Sequence, residues 1–253
     1  MPDLNKITRE LKKNGFCIIP NFLNKKLCEK YIKILENILI KRLNKKKFVG
    51  GKKVTILYNY FLENPKLFNL IFDKKIDKVL KHIIDDDYVL MTATARNQSI
   101  SKFKIDINNK TSGQKWHRDN KSLKNKMLFP AVNYIVAIAL DEFSKKNGST
   151  MYIKNSHKIF DKKIKMNKTR YLEAEQGSLI FMNSNLIHKA GPSSSKRRWS
   201  IFNIYSPWYI KPYFRFNELL DGNKLNKNLR KILHFTSLPP KNYDEGIKTL
   251  KRD

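Results

Sequence analysis

The sequence predicts an α+β chain with a mainly β core, its helices gathered at the N-terminal side of a β sandwich or barrel. Two observations carry this. Helical apolar spacing is concentrated in the first third of the chain, whereas from about Tyr88 the apolar residues fall in short, β-branched, strand-like runs. No repeat, low-complexity tract or Pro/Gly/Ser-rich linker divides the 253 residues, so one domain spanning 1–253 is expected.

Residues 3–14 read as a helix, and Gly15-Phe16-Cys17-Ile18-Ile19-Pro20 as a short strand stopped by its proline. Asn24 is a natural N-cap for a helix running to about Leu43, with Leu27, Tyr31, Leu35, Ile38 and Leu39 on its apolar face. Two shorter helices are expected over 64–72 and 74–84. Strands are expected over 88–95, 100–107, 131–140, 150–153, 178–182, 186–190 and 198–205. The tail, 206–253, carries aromatics and a Pro239-Pro240 break that fix no element.

Composition narrows the functional classes. A hydrophobic content of 41% with 11% aromatics predicts a globular chain rather than a disordered one. No apolar run approaches the roughly 18 residues of a membrane span. The N-terminus, Met1-Pro2-Asp3-Leu4-Asn5-Lys6, has no signal-peptide core. Cys17 and Cys28 lack metal-type spacing and fit a reducing cytoplasm. The formal charge of +30 invites a nucleic-acid reading. However, the lysines are spread from Lys12-Lys13 to Lys162-Lys163 alongside abundant Asn and Ile, with no zinc-finger spacing or aromatic RNA-binding motif. A compositional origin is expected, and nucleic acid is not the expected partner.

The chemistry concentrates in Trp116-His117-Arg118-Asp119, read with His188 and Arg198. In an extended chain His117 and Asp119 point to the same side. With His188 they make two imidazoles and one carboxylate, the facial set that holds non-haem Fe(II) and leaves positions open. In Arg198-Trp199-Ser200 a guanidinium and a hydroxyl again share one strand face, which suits the remote carboxylate of a keto-acid cosubstrate. A bare His-x-Asp is usually no more than a loop; the ordered combination carries the metal reading.

These residues sit in a pattern that resembles the phytanoyl-CoA dioxygenase-like Fe(II)/2-oxoglutarate oxygenases. The resemblance runs from Gly15-Phe16-Cys17-Ile18-Ile19-Pro20-Asn21-Phe22-Leu23 through Trp116-His117-Arg118-Asp119, Ala139-Leu140-Asp141, Asn147-Gly148-Ser149-Thr150 and Asn155-Ser156-His157-Lys158. It closes with His188-Lys189-Ala190-Gly191-Pro192-Ser193 and Arg198. It implies a double-stranded β-helix (a jelly roll, cupin-like) with N-terminal helices packed on one face. It also implies iron ligands at His117, Asp119 and His188, and a salt bridge from Arg198 to the 5-carboxylate of 2-oxoglutarate, with Ser200 beside it. Arg197 is the alternative for that salt bridge. Two departures are visible: Gly177-Ser178 stands where the family often has Gly-Asp, and the interval from His188 to Arg198 is about one residue short.

The expected activity is therefore Fe(II)- and 2-oxoglutarate-dependent hydroxylation of a small molecule by O2, with succinate and CO2 as co-products. Asp119 fills the position that a halide would need, which favours hydroxylation over halogenation; desaturation and cyclisation use the same ligands. The alternatives are a non-catalytic jelly-roll binding protein and a nucleic-acid oxidative demethylase of the same superfamily. His157 is expected to be structural, and His82 and His234 to serve surface or packing. Trp116, Thr150 and Asn97 suit the cosubstrate pocket or the core equally. Glu173 and Glu175 read as solvated, and the aspartates 85–87 as a helix end rather than a cation site. Loops 44–53 and 120–130 are the candidate substrate contacts. The sequence fixes neither the primary substrate nor the oligomeric state.

Overall fold

Asp3 and Asn24 begin the first two helices by the same device: each side-chain oxygen accepts from a backbone N–H three residues on, Lys6 N and Leu27 N. The computed structural model describes residues 3–47, 49, 54–98, 115–120, 131–159, 166–195 and 197–237. Helix α1 (Leu4–Asn14) buries Ile7 and Leu11 and ends at Gly15, whose φ of 82° lets the chain turn directly into strand β1 (Phe16–Ile19). Helix α2 (Lys25–Asn44) buries Cys28, Tyr31, Ile32, Leu35 and Ile38 along one stripe. Its buried Arg42 is held by Glu63 and the Tyr58 carbonyl.

After strand β2 (Thr55–Tyr58) come two 3-10 turns, Tyr60–Glu63 and Pro65–Leu70, and then helix α3 (Lys74–Ile83), capped by Asp73. The helix expected over 64–72 is thus a tighter 3-10 turn entered at Pro65. The remaining strands are β3 (Tyr88–Asn97), β4 (Tyr134–Ala139), β5 (Thr150–Ile153), β6 (Thr169–Tyr171), β7 (Leu179–Asn183), β8 (His188–Ala190) and β9 (Trp199–Pro207). Short helices α4 (Phe216–Leu219) and α5 (Lys227–Ile232) follow. Strands β2 and β6 were not among the expected elements. The strand expected over 100–107, the Pro239-Pro240 break and most of the two candidate substrate loops lie outside the described residues.

Two antiparallel sheets result. The larger has the order β1-β7-β4-β9-β3-β2, and the smaller β6-β5-β8. The large sheet is covered on both faces, which explains why its strands read as nearly unbroken apolar runs. Alternation sorts their side chains. Val136, Ile138, Leu179, Phe181, Ile201 and Tyr205 join the core shared with the helices. Ile135, Ala137, Ala139, Ile180, Met182, Phe202 and Ile204 face the other way and pack with Phe143, Leu172 and Leu186. This is a mainly β, jelly-roll core with helices on one face, as the family resemblance implies. The second, smaller core is the floor on which the polar site stands.

Candidate metal centre

The segment 117–120 is sewn onto 184–188 by backbone bonds. His117 and His188 exchange N–H···O bonds of 3.1 and 3.0 Å, and the amides of Asp119 and Asn120 both donate to the Ser184 carbonyl. Arg118 leaves on the opposite side from its neighbours and donates to the carbonyls of Asn185, Ser156 and Ile159. Pinning Arg118 on that side turns His117 and Asp119 together toward His188.

The result is a cluster in which one nitrogen or oxygen from each of His117, Asp119 and His188 lies within 4.8 Å of the others. Both Nε2 atoms are 3.6 Å from an Asp119 carboxylate oxygen, a different oxygen for each. That is too long for a hydrogen bond. It lies between the separations of about 3 and 4 Å expected for ligands roughly 2.0–2.2 Å from one shared ion. The tautomers agree. Nδ1 of His117 lies 2.8 Å from the Lys115 carbonyl, and Nδ1 of His188 lies 2.9 Å from that of Leu186. A carbonyl only accepts, so each Nδ1 carries the proton and each Nε2 turns a lone pair toward the carboxylate. Burial lowers the His188 pKa against the opposing pull of Asp119, which further favours the neutral, donating imidazole. By donor type and geometry the three residues could hold a divalent metal such as Fe(II).

Arg198 is 3% exposed. Its Nη1 donates to Ser200 Oγ at 3.2 Å and its Nη2 to the Gly148 carbonyl at 3.0 Å, and the guanidinium lies over the Phe143 ring. Gly148 has φ of 75°, and a Cβ there would stand 2.9 Å from the Gly191 carbonyl, so the turn that presents its oxygen needs glycine. Among the described residues Arg198 Nε has no hydrogen-bond partner and no carboxylate lies within ion-pair distance of the guanidinium. Burial and the charge of Arg96 push its pKa down to about 9. Arg197 goes elsewhere, to Asp141 and Glu29.

The other candidates resolve as follows. His157 is buried, with Nε2 on the Lys12 carbonyl, and His234 has Nε2 on that of Leu90. His82 pairs with Thr8. Asn97 accepts from the Arg198 amide, Trp116 lies under the Lys189 ammonium, and Thr150 is buried on β5. Glu173, Glu175 and the aspartates 85–87 are exposed. Two residues near the cluster escaped the sequence reading. The charge of Asp119 acts on the Arg96 guanidinium and on the Tyr213 phenol, which burial and that charge together push up. The alternation Thr92, Thr94, Arg96 on β3 was the available signal for Arg96.

The family model for phytanoyl-CoA dioxygenase (PhyH) matches residues 11–199. None of the curated proteins matches the chain by sequence. Among solved structures, HygX from Streptomyces hygroscopicus with nickel and 2-oxoglutarate bound is similar with a TM-score of 0.65 and 13% identity, covering 81% of this chain and 88% of that one. The non-heme alpha ketoglutarate dependent carbocyclase SnoK of nogalamycin biosynthesis gives 0.64 and 14%, covering 80% and 83%. The epimerase SnoN of the same biosynthesis gives 0.61 and 13%, covering 81% and 83%. Among the described residues no helix is long and apolar enough to cross a membrane.

Proposed function

The chain belongs to the phytanoyl-CoA dioxygenase family, and we propose that it is an Fe(II)- and 2-oxoglutarate-dependent dioxygenase that hydroxylates a small molecule, with succinate and CO2 as co-products. One observation carries the reading. Two Nε2 lone pairs and a carboxylate converge on one point, and on the same side of the sheet, among the smaller core, stands a buried guanidinium with no carboxylate at ion-pair distance among the described residues. A buried cation left unpaired is costly, so the surroundings of Arg198 suit an anion. The nickel- and 2-oxoglutarate-bound HygX and the Fe3+- and alpha-ketoglutarate-bound SnoN support the choice of metal and cosubstrate.

In this reading His117, Asp119 and His188 hold Fe(II), and Asp119 also supplies the single negative charge that offsets the dication. Bound iron would supply the redox chemistry that couples O2 to oxidation of the keto acid and of the substrate. Arg198 and Ser200 grip the distal carboxylate, because a planar guanidinium offers two parallel donors where a lysine would offer a point charge. Gly148 and Phe143 hold that fork still. The Lys115 and Leu186 carbonyls keep both imidazoles in the donating tautomer. Asp119 fills the place a halide would take, which is the argument for hydroxylation over halogenation.

The test is a screen of small-molecule substrates with Fe(II), 2-oxoglutarate and O2, read as succinate release together with an oxygenated product. Succinate formed with a product one oxygen heavier supports hydroxylation. Substrate-dependent succinate release with an unsaturated, cyclised or epimerised product keeps the cofactor assignment and overturns the reaction type.

A further inference from the structure

A second guanidinium stands beside the Arg198 site and has no assigned role. Arg96 stands on β3 directly opposite Ser200 of β9, the hydroxyl that accepts from Arg198. Its Nε donates to Thr94 Oγ1 at 3.2 Å, and Thr94 is itself fixed on the Phe202 carbonyl. The guanidinium lies 4.7 Å from the Phe202 ring centroid. Phe202 stacks on Phe143 at 6.2 Å, and Phe143 carries Arg198 on its ring at 4.6 Å. Each cation therefore lies on one member of a pair of stacked rings, beside the pairing of β3 with Ser200 of β9. Neither makes a salt bridge among the described residues, and the Arg96 Nη atoms have no hydrogen-bond partner there.

The two ends of this arrangement differ. Arg96 is the cation whose charge reaches Asp119 and His188, whereas Arg198 interacts with Arg96 and Asp141. By its electrostatic reach Arg96 is the nearer of the two cations to the metal ligands, while the register of β3 on β9 keeps it beside Ser200 and hence beside Arg198. A 2-oxo acid whose distal carboxylate lies on Arg198 has to present its other carboxylate beside the metal ligands, where the Arg96 fork is free. The two like charges repel each other, and a dianion spanning them relieves both.

From this geometry we infer that Arg96 is a second cosubstrate-binding residue, its guanidinium hydrogen-bonding the 1-carboxylate of 2-oxoglutarate while Arg198 and Ser200 hold the 5-carboxylate. The inference rests on the cosubstrate reading above and adds a polarity to it. Arg96 recognises the 2-oxo acid headgroup common to all such acids, and Arg198 recognises what distinguishes 2-oxoglutarate from the rest.

That division can be measured without turnover. The Fe(II)-loaded protein is titrated anaerobically with 2-oxoglutarate and with 2-oxopentanoate, which has the same chain length but no distal carboxylate, and the visible charge-transfer band of the chelate is followed. Arg96→Gln should raise the Kd of both acids by one common factor of roughly ten to a hundred, the range for a hydrogen bond to a charged group. The wild-type preference for 2-oxoglutarate should then persist. Arg198→Gln should erase that preference and leave 2-oxopentanoate binding nearly unchanged. Fe(II) affinity without any acid should not fall in Arg96→Gln, because the change removes a cation from beside the ligands. If Arg96→Gln fails to fold, Arg96→Lys and Thr94→Val decide: each should weaken both acids together, by a smaller factor. Unchanged Kd values in the Arg96 variants, or loss of the preference alone, overturn the inference; Arg96 would then face the primary substrate or the distal end. A wild-type protein that forms the chelate with neither acid overturns the cosubstrate reading and this inference with it.

Discussion

Arg197 and Arg198 are neighbours in the chain and part company at the entry to β9. Arg197 turns outward, its Nη2 lying 2.8 Å from Asp141 and 3.1 Å from Glu29. Arg198 turns inward onto Ser200 Oγ and the Gly148 carbonyl. The other oxygen of Asp141 accepts the Trp199 amide at 2.7 Å, so one carboxylate holds the outer arginine and anchors the strand that carries the inner one. Two residues of the same type thus have separable consequences.

Arg198→Ala should raise the 2-oxoglutarate concentration needed for half-maximal turnover by roughly ten- to a hundredfold, the value of a charge-assisted fork. Fe(II) binding should survive. Arg198→Lys should recover only part of the loss, because it keeps the charge and lacks the fork. Titrations of cosubstrate and metal on the same preparations separate the two effects.

Arg197→Ala should behave in the opposite way. Its side chain is 38% exposed, so solvent screens the pair with Asp141 and limits the cost to about 1 kcal/mol of stability. The cosubstrate requirement should stay within twofold of wild type. Denaturant melts beside cosubstrate titrations check this.

What the sequence made legible, and what it did not, follows from the range of each signal. Asp3, Gly15 and Asn24 act within one helical turn, so the first two helices and β1 appear in the structure close to where they were expected. Strands β2 and β6 are only four and three residues long and mostly half-buried, too short to show a period. The His-x-Asp spacing was readable because alternation along an extended segment is local; its meeting with His188 depends on a backbone bridge between distant residues. Arg96 was missed for that reason: it lies at the end of an apolar strand, where an arginine looks like a boundary, and only its pairing with Ser200 brings it inside.

Gly177→Ala tests the turn leading into β7. Gly177 has φ of 85°, and a Cβ there would lie 2.0 Å from the Leu23 carbonyl oxygen, a backbone atom that cannot swing away. The Gly177 carbonyl also accepts the Leu23 amide, which ties the start of α2 to this turn. A cost of about 3 kcal/mol or more is expected, lowering the Tm by about 10 °C in a chain of this size. A melting curve within 2–3 °C of wild type, by the same scaling, would show that the turn is not constrained in this way.

Acid should destabilise the metal-free protein through two histidines outside the metal centre. Burial lowers the pKa of His157 and of His234, so the folded chain resists protons that the unfolded chain accepts. Above the unfolded value of about 6.5 both states are neutral and these groups add no pH dependence. Below it the unfolded state binds more protons, and stability falls as the pH drops. Thermal melts from pH 8 to pH 5 should show a Tm that is flat at first and then declines. His157→Gln should lessen the decline; a Tm that rises on acidification contradicts the account.

The most direct test of the central claim is succinate release from 2-oxoglutarate by the Fe(II)-loaded protein in the presence of O2, with Fe(II) affinity measured in parallel, for wild type and for Asp119→Ala. The account predicts release that requires both Fe(II) and O2. It further predicts that Asp119→Ala loses Fe(II) affinity and turnover together, because two neutral imidazoles are left to hold a dication. An Asp119→Ala protein that bound Fe(II) as wild type does and released succinate at the wild-type rate would show that His117, Asp119 and His188 are not the metal centre.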